Sequence, residues 1–188
     1  MLGSLARFFL NLTGWEAVGR RIADDKIVLV AGPHTSNWDL LALLAITWAL
    51  DVKVSWLGKH SMFWWPLGPI LRWLGGIPVR RDRPENVVEQ IVRAFDEAET
   101  LTLAITPEGT RSNARYWKSG FYRIAKAAGV PIQLGFTDYA KRRAGFGPSF
   151  TPSNDVRADM DKMRAFFSGV VARHPDLVGE IRLREEDE

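Results

Sequence analysis

The sequence predicts an α/β fold in which a mixed, mostly parallel central sheet is flanked by helices within a single domain spanning residues 1–188. Two observations support this fold class. Short apolar runs bounded by glycine, proline or polar residues alternate with segments whose apolar residues recur at helical spacing, and nothing marks an interdomain linker. Strands that alternate with helices are typical of sheets covered on both faces. Functional loops of such folds lie at the carboxyl ends of the strands.

Five segments are predicted strands because they are short, apolar and bounded by turn residues. In chain order they are residues 26–31, 52–57, 77–79, 101–106 and 131–136. Pro78 indicates that the third of them lies at an edge or an end of the sheet, since proline has no N–H to donate. Residues 137–150 resemble a hairpin with a basic tip at 141–143.

Five further segments are predicted helices, at residues 40–50, 61–74, 84–99, 120–128 and 155–174. Pro84 suits a first helical turn. Gly129 is a typical residue just after a helix end. Pro66 and Pro69 would break or bend the second of these helices.

The net charge indicates what kind of partner the protein binds, and the absence of cysteine excludes some kinds of site. The net charge is +3, and the acidic residues 185–188 leave the rest of the chain at +7. This asymmetry suits an anionic partner: phosphate, nucleic acid or a lipid surface. The chain has no cysteine, which excludes disulfides and a zinc–thiolate site and fits a reducing compartment.

The aromatic and apolar residues of the first part of the chain are candidates for contact with a membrane surface. Six of the eight tryptophans fall between Trp38 and Trp73, where they serve either a core or a membrane interface. Residues 1–13 carry apolar side chains at helical spacing, so they form either an interfacial helix or a terminal helix packed on the core. The longest apolar run, 40–50, is shorter than the roughly 20 residues that a membrane-spanning helix needs. The start of the chain lacks the basic region of a signal peptide.

The segment from His34 to Asp39 follows the first predicted strand and opens a helix. Imidazole is well suited to take up a proton near neutral pH, and a carboxylate bonded to its other nitrogen fixes the tautomer. Five residues apart across a tight turn, the two side chains can reach one another. The alternative is that Asp39 only caps the helix.

Three other strand ends carry groups that suit an anion. Residues 106–112, Thr-Pro-Glu-Gly-Thr-Arg-Ser, combine a glycine, hydroxyls and an arginine. Arg80 and Arg81 follow the strand at 77–79, and Lys59 follows the strand at 52–57. Each of these could equally be a turn with solvated charges.

Taken together and in this order, these segments resemble the glycerolipid acyltransferase family, whose best-known members are 1-acylglycerol-3-phosphate acyltransferases. His34 and Asp39 match the family's His-x4-Asp motif, and Pro107 to Arg111 match its Phe-Pro-Glu-Gly-Thr-Arg motif with Thr106 in place of Phe. Arg81 takes the place of the arginine in a third motif. The resemblance covers roughly residues 27–136 and implies the glycerol-3-phosphate acyltransferase-like fold.

The resemblance implies an O-acyltransferase that moves a fatty acyl group from a thioester to a hydroxyl of a lysophospholipid such as 1-acylglycerol-3-phosphate. His34 would be the general base and Asp39 its orienting carboxylate. The donor would be acyl-CoA or an acyl carrier protein, acting as substrate, with no cofactor and no metal. The predicted acceptor-binding residues are Lys59, Arg81, Glu108, Gly109, Thr110 and Arg111.

Departures from the family pattern leave the acceptor open. Pro78 stands where Phe is usual and Arg80 where an acidic residue is frequent, so another lysolipid or a glycolipid is an alternative acceptor. The expected location is the cytoplasmic face of a membrane, as a peripheral or monotopic protein.

Other functional classes are disfavoured by specific features of the chain. A serine hydrolase would need a Gly-x-Ser-x-Gly elbow, which does not occur. A non-enzymatic protein that binds anionic lipid would use the basic body and aromatics without needing His34. The basic clusters are short and carry no nucleic-acid-binding signature, so nucleic acid is not expected as a partner.

Overall fold

The computed structural model describes residues 2–21, 23–80, 84–109 and 115–187, without the side chains of residues 2 and 84–86. Within these residues the chain forms one sheet with the strand order β1-β7-β6-β2-β5-β3-β4. Paired neighbours run parallel except β6 and β7, which form an antiparallel hairpin. The strands are β1 (Glu16–Val18), β2 (Lys26–Gly32), β3 (Ser55–Lys59), β4 (Gly76–Val79), β5 (Leu101–Ile105), β6 (Ile132–Asp138) and β7 (Arg143–Phe150).

Helices cover both faces of this sheet. The described residues contain α1 (Leu2–Leu12), α2 (Trp38–Ala49), α3 (Leu67–Trp73), α4 (Pro84–Glu97), α5 (Gly120–Ala128) and α6 (Val156–Phe167). Short 3-10 turns lie at His60–Met62, Pro175–Leu177 and Arg184–Glu186.

The alternation of side chains along β2 explains the two layers. Val28 and Val30 point into the larger core, which also contains buried residues of α4, α5 and α6. Leu29 points to the opposite face, where residues of α2 pack against it. Helix α1 packs on α2 through a third cluster that includes Ala6 and Leu10. The sheet is therefore buried on both faces, as the run of apolar residues in β2 predicts.

Small side chains leave space on the α2 side of the sheet. Ala31, Ala104, Gly135 and Ala144 face a cavity there that α2 also lines through Leu43, Ile46 and Thr47. The opposite face instead carries large, fully buried side chains such as Leu103, Ile132 and Leu134. The small sheet residues therefore leave part of the cavity next to α2, and the same cavity also reaches Val87 and Val88 of α4 and Phe121 and Ile124 of α5.

The predicted fold class is confirmed, and so are the five predicted strands, the hairpin and the edge position of the strand that contains Pro78. Gly129 ends α5 with φ of +64°, the left-handed conformation that glycine accepts most readily. The three-residue strand β1 was not predicted, because it is too short to show a pattern and pairs with β7 through distant contacts.

Two predicted helices are too long. The helix predicted at 155–174 ends at Phe167, where Ser168 and Gly169 are poor helix formers. The helix predicted at 61–74 is α3 from Leu67 onward, preceded by the 3-10 turn and by Pro66 as its N-cap.

The acidic end of the chain is not a separate patch of charge. Glu186 is buried, and its carboxylate lies 2.8 Å from Nη1 of Arg164 and accepts a bond from the main-chain N–H of Leu183. Asp187 pairs with Arg182. These ion pairs neutralise charge that the sequence alone assigns to an acidic terminus.

Large apolar side chains are exposed on α1, on the start of α2 and along residues 62–73. Helix α1 packs on α2, and the Trp48 ring of α2 lies 6.5 Å from the Trp73 ring of α3, so α1 and α3 each lie next to α2. In the described part of the chain, no helix has the length and apolarity to cross a bilayer. The exposed residues are Leu5, Phe8, Phe9, Leu12, Trp38, Leu41, Met62, Trp64, Trp65, Leu67, Ile70 and Trp73.

Candidate active site

The strand order brings the predicted functional loops to one edge of the sheet. Strand β2 lies between β6 and β5, and β3 follows β5, with all these strands parallel. His34 therefore follows the end of β2, Glu108 follows the end of β5, and Lys59 ends β3 on the same side. His34 and Lys59 both line the cavity.

His34 and Asp39 meet as predicted. Nδ1 of His34 lies 3.2 Å from Oδ2 of Asp39, and 17% of the His34 side chain is exposed. Oδ2 also accepts hydrogen bonds from the main-chain N–H groups of Thr35 (2.9 Å) and Ser36 (2.8 Å). Asp39 thus orders the turn before α2 and contacts the imidazole with the same oxygen. The two roles considered for Asp39, capping the start of the helix and pairing with His34, therefore occur together in the same carboxylate.

The environment of Asp39 keeps it ionised. Burial acts to raise its pKa, but hydrogen bonds from His34, Tyr139 and two main-chain N–H groups outweigh burial, and the pKa of Asp39 falls below its ordinary value. A carboxylate at Nδ1 favours the tautomer with the proton on that nitrogen. Nε2 makes no hydrogen bond to any described residue, so this nitrogen is the one available to take up a proton.

Glu108 lies beneath the His34 turn rather than on the cavity wall. Its side chain is buried, and Oε1 accepts a bond of 2.9 Å from the main-chain N–H of His34. Oε2 is buried without a partner among the described residues. Burial raises the pKa of Glu108 to about 7, while the bond from His34 opposes this rise. The observed contact supports the His34 main chain; a direct role in binding the acceptor stays a prediction.

Gly109 takes a conformation that explains its place in the motif. Its φ is +64°, and a Cβ there would lie 2.6 Å from Cε of Lys118. Lys118 crosses over this glycine and lines the cavity together with it. Lys118 is a cation at the site that sequence reasoning missed, because no motif includes it.

Tyr139 is a second residue that sequence reasoning missed. Its hydroxyl donates a 2.7 Å hydrogen bond to Oδ1 of Asp39, the oxygen that does not face His34. The two residues are 100 positions apart, and Tyr139 lies in the β6–β7 hairpin outside every motif. The pattern of the sequence contains no signal for this contact.

Three predicted acceptor-binding residues, Arg81, Thr110 and Arg111, lie outside the described residues. Their contacts with phosphate stay predictions. The adjoining described residues do reach the site, since Val79, Gly109 and Tyr116 all line the cavity.

The cavity next to the His–Asp pair has a volume of about 1460 Å³. Its lining includes the imidazole of His34 and the cations Lys59 and Lys118, and part of its wall is the apolar surface beneath α2. A site of this kind can accept a long apolar group and deprotonate a hydroxyl beside it.

An α/β sheet with an imidazole–carboxylate pair at the carboxyl end of a strand, open to a largely apolar cavity, is typical of group-transfer and hydrolytic enzymes. A family model described as Acyltransferase matches residues 13–133, which is more than half of the chain. The chain therefore belongs to the Acyltransferase family.

Two relatives show how far the likeness extends. A 1-acyl-sn-glycerol-3-phosphate acyltransferase of Haemophilus influenzae is 31% identical over 144 residues, which cover 70% of this chain and 58% of the relative. The chain thus matches less than two thirds of that relative's length. The crystal structure of the 1-acyl-sn-glycerophosphate (LPA) acyltransferase PlsC from Thermotoga maritima superposes with a TM-score of 0.61, covering 93% of this chain and 77% of that one. At 16% identity, this second likeness demonstrates a shared fold.

Proposed function

We propose that this protein is an O-acyltransferase that acylates a hydroxyl of a lysophospholipid such as 1-acylglycerol-3-phosphate. In this reaction Nε2 of His34 takes the proton of the acceptor hydroxyl as its oxygen attacks the thioester carbonyl. The tetrahedral intermediate collapses, the C–S bond breaks, and the thiolate leaves and is protonated from the imidazolium. Asp39 stabilises that imidazolium and holds the ring in the required tautomer.

The observation that carries this proposal is the 3.2 Å contact between His34 and Asp39, two residues that line the cavity. A base in this position needs a hydroxyl next to Nε2, and the apolar wall below α2 offers room for an acyl chain beside it. The 1-acyl-sn-glycerol-3-phosphate acyltransferase name of the Haemophilus relative supports the choice of acceptor.

The cations around the cavity support an acceptor that carries phosphate. Lys59 and Lys118 line the cavity, and both are exposed enough to contact a bound anion. Arg81 and Arg111 are proposed to join them through bidentate hydrogen bonds to phosphate. The donor is proposed to be acyl-CoA or an acyl carrier protein.

The reaction is tested by crossing several lysolipid acceptors, including 1-acylglycerol-3-phosphate and a glycolipid, with both types of donor. New acylated lipid is measured by mass spectrometry and thiol release by absorbance. We expect one acceptor to be acylated by the wild-type protein and not by His34→Ala. Thiol release without acylated lipid would contradict acyl transfer and indicate a thioesterase instead. Equal activity of His34→Ala would remove the histidine from the mechanism.

We further propose that the protein works at a membrane surface, on the cytoplasmic face, as a peripheral or monotopic protein. Phe8 of α1 is 60% exposed, and Trp65, just before α3, is 80% exposed; α1 and α3 each lie next to α2. Aromatic rings of this kind favour the boundary between headgroups and acyl chains. Met62 is exposed and also lines the cavity, so a lipid could pass from this surface to the site.

Sedimentation with liposomes tests the membrane proposal. Exchanging Trp64 and Trp65 for serine should lower binding about tenfold or more, because burying even 50 Å² of each ring is worth about 1 kcal/mol. Val171→Ser, which removes an exposed apolar side chain outside residues 62–73, is the control. Unchanged binding of the double variant would contradict this surface. A protein that only binds anionic lipid would sediment in the same way yet show no dependence on His34 in the acylation assay.

A further inference from the structure

Both oxygens of the Asp39 carboxylate accept hydrogen bonds. Oδ2 contacts His34 and two main-chain N–H groups, while Oδ1 accepts the 2.7 Å bond from the hydroxyl of Tyr139. The torsion that rotates a carboxylate is broad and has little intrinsic preference. A donor on the far oxygen therefore limits the rotation of the group that orients the imidazole.

Tyr139 is itself fixed by its neighbours. Its main-chain N–H donates to the carbonyl of Val171 at 2.9 Å. The ring of Trp15 stands edge-on to its ring with centroids 5.2 Å apart, and the guanidinium of Arg173 lies 5.8 Å from its centroid. These contacts with Trp15, Arg173 and Val171 limit the movement of the ring whose hydroxyl donates to Asp39.

The hairpin turn adds to this placement. Asp138, the last residue of β6, accepts hydrogen bonds from the main-chain N–H groups of Ala140 and Lys141, both at 3.1 Å. This turn closes directly around Tyr139 and is anchored to the sheet by the β6–β7 pairing. The tyrosine thus projects from a rigid support rather than from a free loop tip.

We infer that Tyr139 is a positioning residue for the His34–Asp39 pair, acting through Asp39 and not through contact with substrate. The inference rests on the proposed function, in which His34 is the base. Tyr139 is not among the described residues that line the cavity, so it should influence the turnover rate rather than substrate binding. Burial and the bond to Asp39 both raise the pKa of Tyr139, which keeps its hydroxyl a donor at neutral pH.

The test exchanges Tyr139 for phenylalanine, which removes only the hydroxyl. We expect kcat to fall about tenfold or more, as is usual when a group that orients a catalytic ligand is lost, with KM for acceptor and donor unchanged. The matched control is Tyr122→Phe. Tyr122 also donates a hydrogen bond to a buried aspartate, Asp159, at 2.9 Å, and it lies away from the His34 turn. This control should lower stability by a similar amount and leave kcat unchanged.

A second readout does not require activity. The proton on Nδ1 of His34, hydrogen-bonded to Asp39, should give a low-field NMR signal that is lost in Asp39→Ala. We expect Tyr139→Phe to shift or broaden this signal and Tyr122→Phe to leave it in place. An unchanged signal together with unchanged kcat would overturn the inference. Equal losses of kcat in the two tyrosine variants would also overturn it, because they would reflect stability alone. If no acceptor is acylated by the wild-type protein, the proposed function fails while the NMR comparison still decides the role of Tyr139.

Discussion

Single residues in the turn after β2 combine structural and chemical tasks, and Asp39 shows this most directly. Its Oδ2 accepts two main-chain N–H groups and contacts the imidazole, so the same atom shapes the turn and selects the tautomer of His34. A substitution that keeps the shape and removes the charge separates these tasks.

Asp39→Asn should therefore fold and fail in catalysis. With its oxygen at the Oδ2 position the amide can still accept from the turn and from His34, and its N–H₂ group then faces the Tyr139 hydroxyl. The amide has no charge, so it cannot stabilise the imidazolium that forms during the reaction. We expect kcat for the proposed reaction to fall by about 10² to 10⁴, with a small change in melting temperature. Asp51→Asn is the control, because the side chain of Asp51 is exposed and forms an ion pair with Arg7 far from any described residue of the His34 turn. Near-normal turnover of Asp39→Asn would show that the imidazole does not depend on this carboxylate.

Glu108 leads to a prediction about stability and pH. Its pKa is about 7 in the folded protein, against an ordinary value of 4.5, so between these values only the folded state holds the proton. The free energy of unfolding should therefore decrease as pH rises from about 4.5 to 7 and then level off. The loss of unfolding free energy from this group is about 3 kcal/mol.

Chemical denaturation of wild type and Glu108→Gln at several pH values measures this effect. The glutamine variant does not titrate, so the difference between the two proteins should shift in favour of the variant as pH increases through this window. Other groups titrate equally in both proteins and cancel. Parallel curves for the two proteins would mean that Glu108 is not shielded from water as its burial indicates.

At the scale of elements, α1 lies close to α2 because of a glycine. A Cβ on Gly3 would lie 2.7 Å from the carbonyl oxygen of Trp48 and 2.8 Å from Oδ1 of Asp51. Main-chain atoms cannot move aside as a flexible side chain can, so the two helices would have to separate. Arg7 strengthens the same junction by donating to the carbonyl of Ala49 at 2.7 Å.

Gly3→Ala should destabilise the docking of α1 by about 1–3 kcal/mol, despite the better helix propensity of alanine. Gly120→Ala is the matched control, since Gly120 also lies in the first turn of a helix and a Cβ there meets nothing within 4 Å. This control should be neutral or stabilising by up to about 1 kcal/mol. Hydrogen exchange of α1 amides and thermal melting measure both effects. Faster exchange in the Gly120 variant than in the Gly3 variant would contradict the close contact.

Elements that depend on residues close together in the sequence could be predicted, whereas elements that depend on contacts between distant segments could not. Helix α5 and the strands β2 and β5 follow from local patterns, and His34 meets Asp39 across one turn. Strand β1 and the contact of Tyr139 with Asp39 depend on pairing between distant segments, which no local pattern encodes. The motif identified Glu108 as a functional residue but gave no information about where its side chain points. Its burial beneath the His34 turn could therefore not be predicted.

At the scale of the whole molecule, two of the acidic residues that cluster at the end of the sequence are paired with arginines in the folded protein. The acidic end of the chain lies against α6, where the buried Glu186 pairs with Arg164. Truncation after residue 184 should therefore leave Arg164 without this partner and lower the free energy of unfolding by about 1–3 kcal/mol. Denaturant titration of the truncated chain checks this, and a truncation that leaves stability unchanged would show that the terminus is an independent acidic tail.

The arrangement of the apolar surface and the cavity predicts that activity depends on how the acceptor is presented. The exposed rings of α1 and of residues 62–73 belong to elements that each lie next to α2, and Met62 is both exposed and part of the cavity lining. In the proposed reaction, exchanging Trp64 and Trp65 for serine should therefore lower turnover of a lysolipid embedded in vesicles about tenfold or more. Turnover of a short-chain acceptor dissolved in water should stay within about twofold, because the His34–Asp39 pair is unaltered.

His34→Ala distinguishes loss of membrane contact from loss of chemistry, since it should abolish turnover with both forms of the acceptor. Wild type, the tryptophan double variant and His34→Ala are each assayed with the acceptor in vesicles and with the acceptor dissolved in water. The losses of turnover then separate a role at the membrane from a role in the reaction. If the tryptophan variant lost activity equally on the dissolved acceptor, the rings would belong to the substrate site and not to a membrane surface. Activity that remained equal on vesicles would instead mean that lipids reach the cavity by a route that bypasses residues 62–73.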